Sequence, residues 1–458
     1  MNHSQSALNL QLKIISKRIK NSHSDHWTEM MNKHNFAPII KEYSQKSRNR
    51  IYTHKQTLSM FLTQATSEDR SCQKAVNDTA LKLLSSDQTS CSVSTGGYCN
   101  ARQRLSESML KDMCQSVALS NEQKVNKKWQ FRGRDIYLVD GTTMTMPDTI
   151  ENQKKYPQPN FQKTGLGFPI CRVVGIISLA TGSLINAAVS PFSGKGAAEQ
   201  TLLRGMLCTF KKGDIILADA LYSTYSLLSH VLEHGIDIVF VQNGARSRTT
   251  DFTKGRRLGK NDHLITIKKP KKKPEWMSQE EFDLKPKEIT IREIKRGGKL
   301  LISTMLCPKK TSAKTIQDLY RHRWQIEVDF RNIKSTLGLK IFSCKTPEMV
   351  LKEMWVYFLA YNMIRTVMLE SALYNKMLPR QLSFKHTIQL LTSYSGVFYG
   401  KIYQGLLLLI SKKCIGNREG RVEPRAIKRR QNDYPLLMKP RHIAQEEIKK
   451  NGHPKKLK

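Results

Sequence analysis

Three acidic residues, Asp140, Asp219 and Glu327, stand where solubility alone does not call for them. Asp140 follows the apolar run Ile136, Tyr137, Leu138 and Val139, and Asp219 follows Ile215, Ile216, Leu217 and Ala218. Each closes what reads as a buried strand, and a buried carboxylate is costly unless it is paired or bound to a metal. Glu327 lies in the spacing Tyr-x2-Arg-x3-Glu-x6-Lys, made by Tyr320, Arg323, Glu327 and Lys334. On a helix turning about 100° per residue, these four fall within roughly 60° of one another. Leu319, Ile326, Phe330, Ile333 and Leu337 make an apolar stripe beside them. One acid between an aromatic and two cations, at the margin of a core, suits a metal-bound phosphodiester. Three carboxylates converging on one edge suit Mg²⁺, with Mn²⁺ as a substitute. Two such ions can activate a water or a 3′-hydroxyl and stabilise the leaving oxygen in an in-line displacement at phosphorus. The bland alternative gives each Asp a turn-capping role and the helix ordinary i,i+4 charge pairs. It explains each acid singly but not the three together.

The elements that must position these acids read as an α/β arrangement. No Gly or Pro interrupts the chain between Ser312 and Gly338, which predicts one continuous helix carrying Glu327. Upstream, strands are expected over 134–147, 173–180 and 183–192, the last two forming a hairpin around Thr181 and Gly182. A helix over 196–210, a strand over 213–222, a helix over 223–234 and a strand over 237–242 complete one layered core. Residues 126–242 thus form the first part of a core, and 311–345 return to it with the Glu327 helix. Between them, 243–310 read as a β-rich insertion with strands over 288–295 and 299–307 and a basic run over 268–274. Residues 1–125 read as a helical DNA-binding domain with helices over 54–65, 71–84 and 94–113. The third is basic, and Asn100, Arg102, Gln103 and Arg104 on it suit a helix-turn-helix reader, with Arg102 and Arg104 as DNA contacts. Residues 346–415 read as a helical C-terminal region, and 416–458 as a Pro-broken basic tail.

Charge points to the same partner. The chain has 76 Lys and Arg against 38 Asp and Glu, a net +38 spread along its 458 residues. Such a field favours polyanions, with salt-dependent binding. The most apolar run, residues 405–410, is too short to span a membrane, and no signal peptide or lipidation motif stands out. Nine cysteines without a CxxC pair fit reduced thiols in a cytoplasmic setting. His230, Glu233 and His234 match an H-x-x-E-H zinc motif by chance more readily than by design, since no third ligand is evident. Residues 193–196 lack the spacing of a phosphate loop, so no nucleotide cofactor is expected.

The Asp140-Gly141-Thr142 motif, the Asp219-Ala220-Leu221-Tyr222 element and the Tyr320/Arg323/Glu327/Lys334 signature together resemble the DDE transposases of bacterial insertion sequences, in the IS-four group. Residues 98–105 and 428–441 also resemble segments common in that group, so the likeness covers nearly the whole chain. It implies an RNase H-like catalytic core and cut-and-paste transposition: hydrolytic nicking at the element ends, then strand transfer into target DNA. Asp140, Asp219 and Glu327 would be both catalytic residues and metal ligands, while Tyr320, Arg323 and Lys334, with Arg331 nearby, would hold DNA. Trp276 is the candidate for stacking a flipped base. The implied partners are double-stranded DNA, as terminal inverted repeats and as target, and a second copy in a homodimeric synaptic complex at the bacterial nucleoid. The rival readings are a metal-dependent nuclease of RNase H-like type, which cuts without joining, and an inactive DNA-binding relic.

Overall fold

The structure is a computed structural model that describes residues 26–43, 51–85, 91–160, 163, 165–194, 197–394, 396–415 and 439–452. The first 25 residues, most of the basic tail and most of the 428–441 segment lie outside the described residues. The chain divides into two compact units, Met1–Lys124 with Asn332–Glu423, and Val125–Arg331 with Pro424–Lys458.

The second unit is built on a sheet. Its strands are β1 (Ile136–Thr145), β2 (Ile170–Ser178), β3 (Leu184–Pro191), β4 (Ile215–Ala218), β5 (Asp237–Val241), β6 (Arg256–Gly259), β7 (Asp262–Lys268), β8 (Glu288–Arg296) and β9 (Lys299–Ser303). They form one nine-stranded sheet in the order β3-β2-β1-β4-β5-β9-β8-β7-β6. β1, β2 and β3 are antiparallel neighbours, while β4 and β5 run parallel to β1. This mixed α/β order and polarity fit an RNase H-like core. β4 is buried at every residue, as expected of a short apolar strand inside a parallel layer. The helix Tyr225–Glu233 joins β4 to β5 and packs Leu227, Leu228 and Val231 into one cluster with Ile216, Ile238 and Phe240.

Several expectations are corrected. β1 does not end at Asp140 but continues to Thr145, paired with β2. Its pairing with β4 stops at Leu138, because β4 is shorter, so Asp140 lies just past the end of the parallel ladder. In the insertion, β9 pairs antiparallel with β5, so its four strands extend the central sheet. β6 and β7 escape a reading by apolar alternation because Arg256, Arg257 and Lys268 interrupt it. The expected helix over 196–210 is a short helix, Glu199–Arg204, and a separate turn, Leu207–Thr209. The Glu327 helix is also not continuous. Ala313–Arg321 and Trp324–Arg331 are separated at His322 and Arg323, where bonds tighten to i→i+3: Arg323 N donates to Tyr320 O at 3.0 Å and Ile326 N to Arg323 O at 3.2 Å.

The first unit is helical among its described residues. Thr346 caps and Pro347 opens the helix Pro347–Tyr374, whose side chains are buried on nearly every face. The helices His54–Thr66, Glu107–Glu122 and Gly400–Ser411 pack around it. Buried polar groups are satisfied across this packing, as where Asn362 Nδ2 donates to Cys114 O at 3.0 Å. The helix expected over 94–113 breaks at Leu105 and Ser106, because Ser106 accepts a capping bond from Met109 N at 2.9 Å and starts a new helix. No helix among the described residues is long and apolar enough to cross a membrane.

Candidate active site

Asp140 sits half-buried on β1 directly opposite Gly175 of β2. The glycine matters for space. A Cβ on Gly175 would lie 3.2 Å from the Phe330 ring, so its absence lets the Trp324–Arg331 helix rest on the sheet above Asp140. Asp140 Oδ1 accepts from its neighbour Gly141 N at 2.8 Å, and Oδ2 accepts from Arg323 Nη1 at 3.3 Å. The other arm of Arg323, Nη2, donates to Glu327 Oε1 at 2.6 Å. One guanidinium therefore joins the strand acid to the helix acid. Asp219 follows the last residue of β4 and caps the turn Ala220–Tyr222, accepting from Leu221 N at 2.8 Å.

Electrostatics tie the acids together. Burial pushes the Asp140 carboxyl up to about 6; the Gly141 bond and Arg323 oppose this, while Asp219 and Glu199 add to it. Tyr320 is 4% exposed, and burial pushes its hydroxyl up to about 12. Arg323 beside it opposes that rise, and Lys299 Nζ lies 5.2 Å from its ring centroid. Tyr320 thus supports Arg323 from the core side rather than presenting a face to solvent.

A carboxylate missed in the sequence also belongs here. Glu199 accepts from the Tyr222 hydroxyl at 3.0 Å and lies 3.7 Å from Arg172 Nε. Burial raises its pKa, with Tyr222 and Arg172 opposing and Asp219 adding to the rise. Its only trace in the sequence is Gly141, whose missing side chain leaves room for it.

No three His, Cys, Asp or Glu side chains among the described residues already stand as a metal-binding group. Arg323 holds Asp140 and Glu327, and Asp219 caps its own turn. The donors fit a hard divalent cation nonetheless. All are carboxylates, and no thiol or imidazole is among them.

The other expected residues fall elsewhere. Lys334 lies in the π-helical stretch Asn332–Thr336, which belongs to the helical unit. Arg331 and Arg104 are exposed. Arg102 is buried rather than offered to DNA: its guanidinium lies 5.0 Å from the Phe61 ring centroid and 5.1 Å from that of Tyr98, and donates to Gln64 Oε1 at 3.2 Å. Aromatic faces on two helices hold the cation inside, so the surface contact expected of it is withdrawn. Trp276 is 45% exposed, but Arg204 stacks 3.0 Å from its ring centroid, so protein already covers one face. At the H-x-x-E-H motif, Lys285 Nζ lies 2.9 Å from His230 Nδ1 and 2.6 Å from Glu233 Oε2. An ammonium fills the place a zinc ion would need.

Residues 131–363, just over half of the chain, match the transposase DDE domain family. The chain belongs to that family. This transposase is 28% identical over 366 residues to the transposase InsG of insertion sequence element IS4 from Escherichia coli K12, covering 76% of this chain and 79% of the relative. It is 26% identical over 136 residues to the putative transposase InsZ of the same organism, covering 30% and 44%. Among solved structures, a piggyBac transposase synaptic complex with hairpin DNA aligns over 88% of this chain and 84% of that one, at 10% identity and a TM-score of 0.42. The transposase is therefore a DNA-binding enzyme that cleaves DNA strands and transfers them. DDE transposase domains are metal-dependent, in keeping with the all-carboxylate donor set.

Proposed function

We propose that this transposase excises an insertion sequence at its terminal inverted repeats and joins it to target DNA, with Asp140, Asp219 and Glu327 as its catalytic, metal-holding acids. The observation that carries this reading is the Arg323 bridge, which draws the β1 acid and the helix acid to one point beside the turn that Asp219 caps. The three carboxylates would hold two Mg²⁺ ions, or Mn²⁺ in their place, which supply charge neutralisation and an activated oxygen nucleophile. The rest of the work falls to the chain itself. Arg323 now neutralises two carboxylates; with cations present it becomes available to a scissile phosphate, which a guanidinium can grip with two parallel bonds. Tyr320, buried beside Arg323, would limit the directions that grip can take. Arg331, at the end of the helix that carries Glu327, and Lys334, a few residues on, would meet the DNA backbone as point charges. Water is the nucleophile in the first displacement and the released 3′-hydroxyl in the second. Two copies would pair the two ends.

The test uses full-length protein and end DNA, intact or pre-cleaved. Wild type should nick the intact ends and join the pre-cleaved ends to a target plasmid. Asp140→Asn, Asp219→Asn and Glu327→Gln should each lose both steps yet still shift end DNA in a gel. Cleavage without joining would favour a nuclease, and cleavage by any of the three variants would remove that acid from the site. Light scattering of the complex with end DNA reads the number of copies.

A further inference from the structure

Glu199 is outside the expected triad, yet it touches both elements that carry the two aspartates. It begins the helix Glu199–Arg204. A Cβ placed on Gly141 would fall 2.2 Å from Glu199 Cδ and 2.3 and 2.4 Å from its two oxygens. The carboxylate therefore fills the space that Gly141 leaves open, one residue from Asp140. Gly141 is not among the residues with left-handed backbone, so the glycine serves close approach here and not chain reversal. On its other side, Glu199 Oε2 accepts from the hydroxyl of Tyr222, a fully buried side chain at the end of the turn that Asp219 caps. Gln200 grips the same turn: its Nε2 donates to Leu221 O at 2.5 Å, and its Oε1 accepts from Thr224 Oγ1 at 2.6 Å.

Backbone pairing cannot do this job. The β1–β4 ladder ends at Leu138 and Leu217, so no sheet hydrogen bond holds Asp140 and Asp219 at a set spacing. The Glu199 side chain spans that gap as a strut between Gly141 and Tyr222. We propose that Glu199 is a positioning residue that fixes the spacing of Asp140 and Asp219 and so sets how readily the site takes Mg²⁺. The inference rests on the reading that these two aspartates share the metal site. Mg²⁺ demands near-ideal octahedral geometry, so a loosened pair of ligands weakens it first. Mn²⁺ is larger and coordinates less rigidly, so it suffers less.

The experiment measures end cleavage by full-length protein against Mg²⁺ and Mn²⁺ concentration, and Mn²⁺ binding by electron paramagnetic resonance on the same protein. Glu199→Ala should raise the half-saturating Mg²⁺ concentration by about 10- to 100-fold and weaken Mn²⁺ binding by a smaller factor, with cleavage partly restored in Mn²⁺. Glu199→Gln keeps the shape and the acceptor for Tyr222 and should stay close to wild type. Tyr222→Phe should move part of the way, and Glu199→Ala with Tyr222→Phe should be no worse than Glu199→Ala alone. Wild-type metal dependence in Glu199→Ala would overturn the proposal. So would Glu199→Gln as impaired as Glu199→Ala, since charge and not position would then be what matters. If Glu199→Ala does not fold, the Glu199→Gln and Tyr222→Phe metal curves decide it. Asp140→Asn separates the two levels: activity in that variant sinks the site reading itself, whereas an inactive Asp140→Asn beside a normal Glu199→Ala sinks only the strut.

Discussion

The sheet carries two clusters of charge, and they are finished to different degrees. In the insertion, Arg292 is fully buried and donates to Asp262 through Nε at 2.8 Å and Nη2 at 2.5 Å, with Nη1 on Thr311 O at 2.6 Å. Beside it, Glu293 accepts from Gln242 at 2.7 Å and Arg246 at 3.1 Å and bonds with His263 Nε2 at 2.9 Å. Cation and anion are balanced, and the hydrogen-bonding capacity is largely used. At the other cluster, Asp140, Asp219, Glu199 and Glu327 share Arg323 and Arg172. Carboxylates outnumber cations there, and burial, with a smaller contribution from Asp219 and Glu199, pushes the Asp140 carboxyl up to about 6. The closed cluster serves folding. In the proposed function the open one takes cations.

The largest effect should come from the open cluster and should be chemical. Under the proposed function, Asp140→Asn or Glu327→Gln takes away a metal-holding acid, so the cleavage rate should fall on the order of 10³-fold or more, equivalent to about 4 kcal/mol on the barrier. End binding, read by gel shift, should persist. A residual rate within about tenfold of wild type would place the chemistry elsewhere.

The closed cluster should fail through stability instead. Arg292→Ala strands Asp262 in the interior and should cost about 3–5 kcal/mol, read from urea unfolding. Replacing Arg292 and Asp262 together by apolar residues of similar volume should recover most of that loss. If Arg292→Ala cost under about 1 kcal/mol, the pair would not be the buried, balanced unit that its bonds describe.

How much of this contrast the sequence disclosed depends on what each residue needed. Asp140, Asp219 and Glu327 were legible because an acid closing an apolar run, or flanked by Arg and Tyr at helical spacing, breaks a local pattern. The succession of the core strands along the chain followed from their apolar runs, whereas their neighbours in the sheet did not. Glu199 broke no pattern, since its role arises from an approach to Gly141 across some sixty residues of chain. The helix break at His322 and Arg323 has no Gly or Pro to announce it, and it shows only in the shortened backbone bonds. β6 exists through its pairing with β7, not through apolar alternation. Arg102 misled for the opposite reason: a basic helix reads as a surface, and only tertiary packing brings Phe61, Tyr98 and Gln64 around the guanidinium.

A smaller effect follows from the proton on Asp140. Its folded-state pKa is raised above the unfolded value of 3.8 to about 6, so the fold favours the protonated form. The stability this contributes is complete below about pH 4 and is lost as pH rises through about 6. Relative to Asp140→Asn, the metal-free wild type should therefore lose on the order of 1–3 kcal/mol between pH 4 and pH 7, read from thermal unfolding of both proteins. Adding Mg²⁺ at pH 7 should return stability to wild type and little to the variant. Parallel pH curves for the two proteins would mean that Asp140 is not the strained group.

The smallest effect separates an exposed cation from an enclosed one. Arg331 is exposed at the end of the Glu327 helix, so Arg331→Ala should weaken end binding about equally for all sequences. It should also lower the slope of log affinity against log salt by about one, since one phosphate contact releases about one counterion. Arg102→Ala should leave that slope alone and instead lower the melting temperature of the protein, because its charge is spent on Phe61, Tyr98 and Gln64 inside the helical unit. If Arg102→Ala changed the slope and Arg331→Ala did not, the two arginines would have exchanged the roles that their burial gives them.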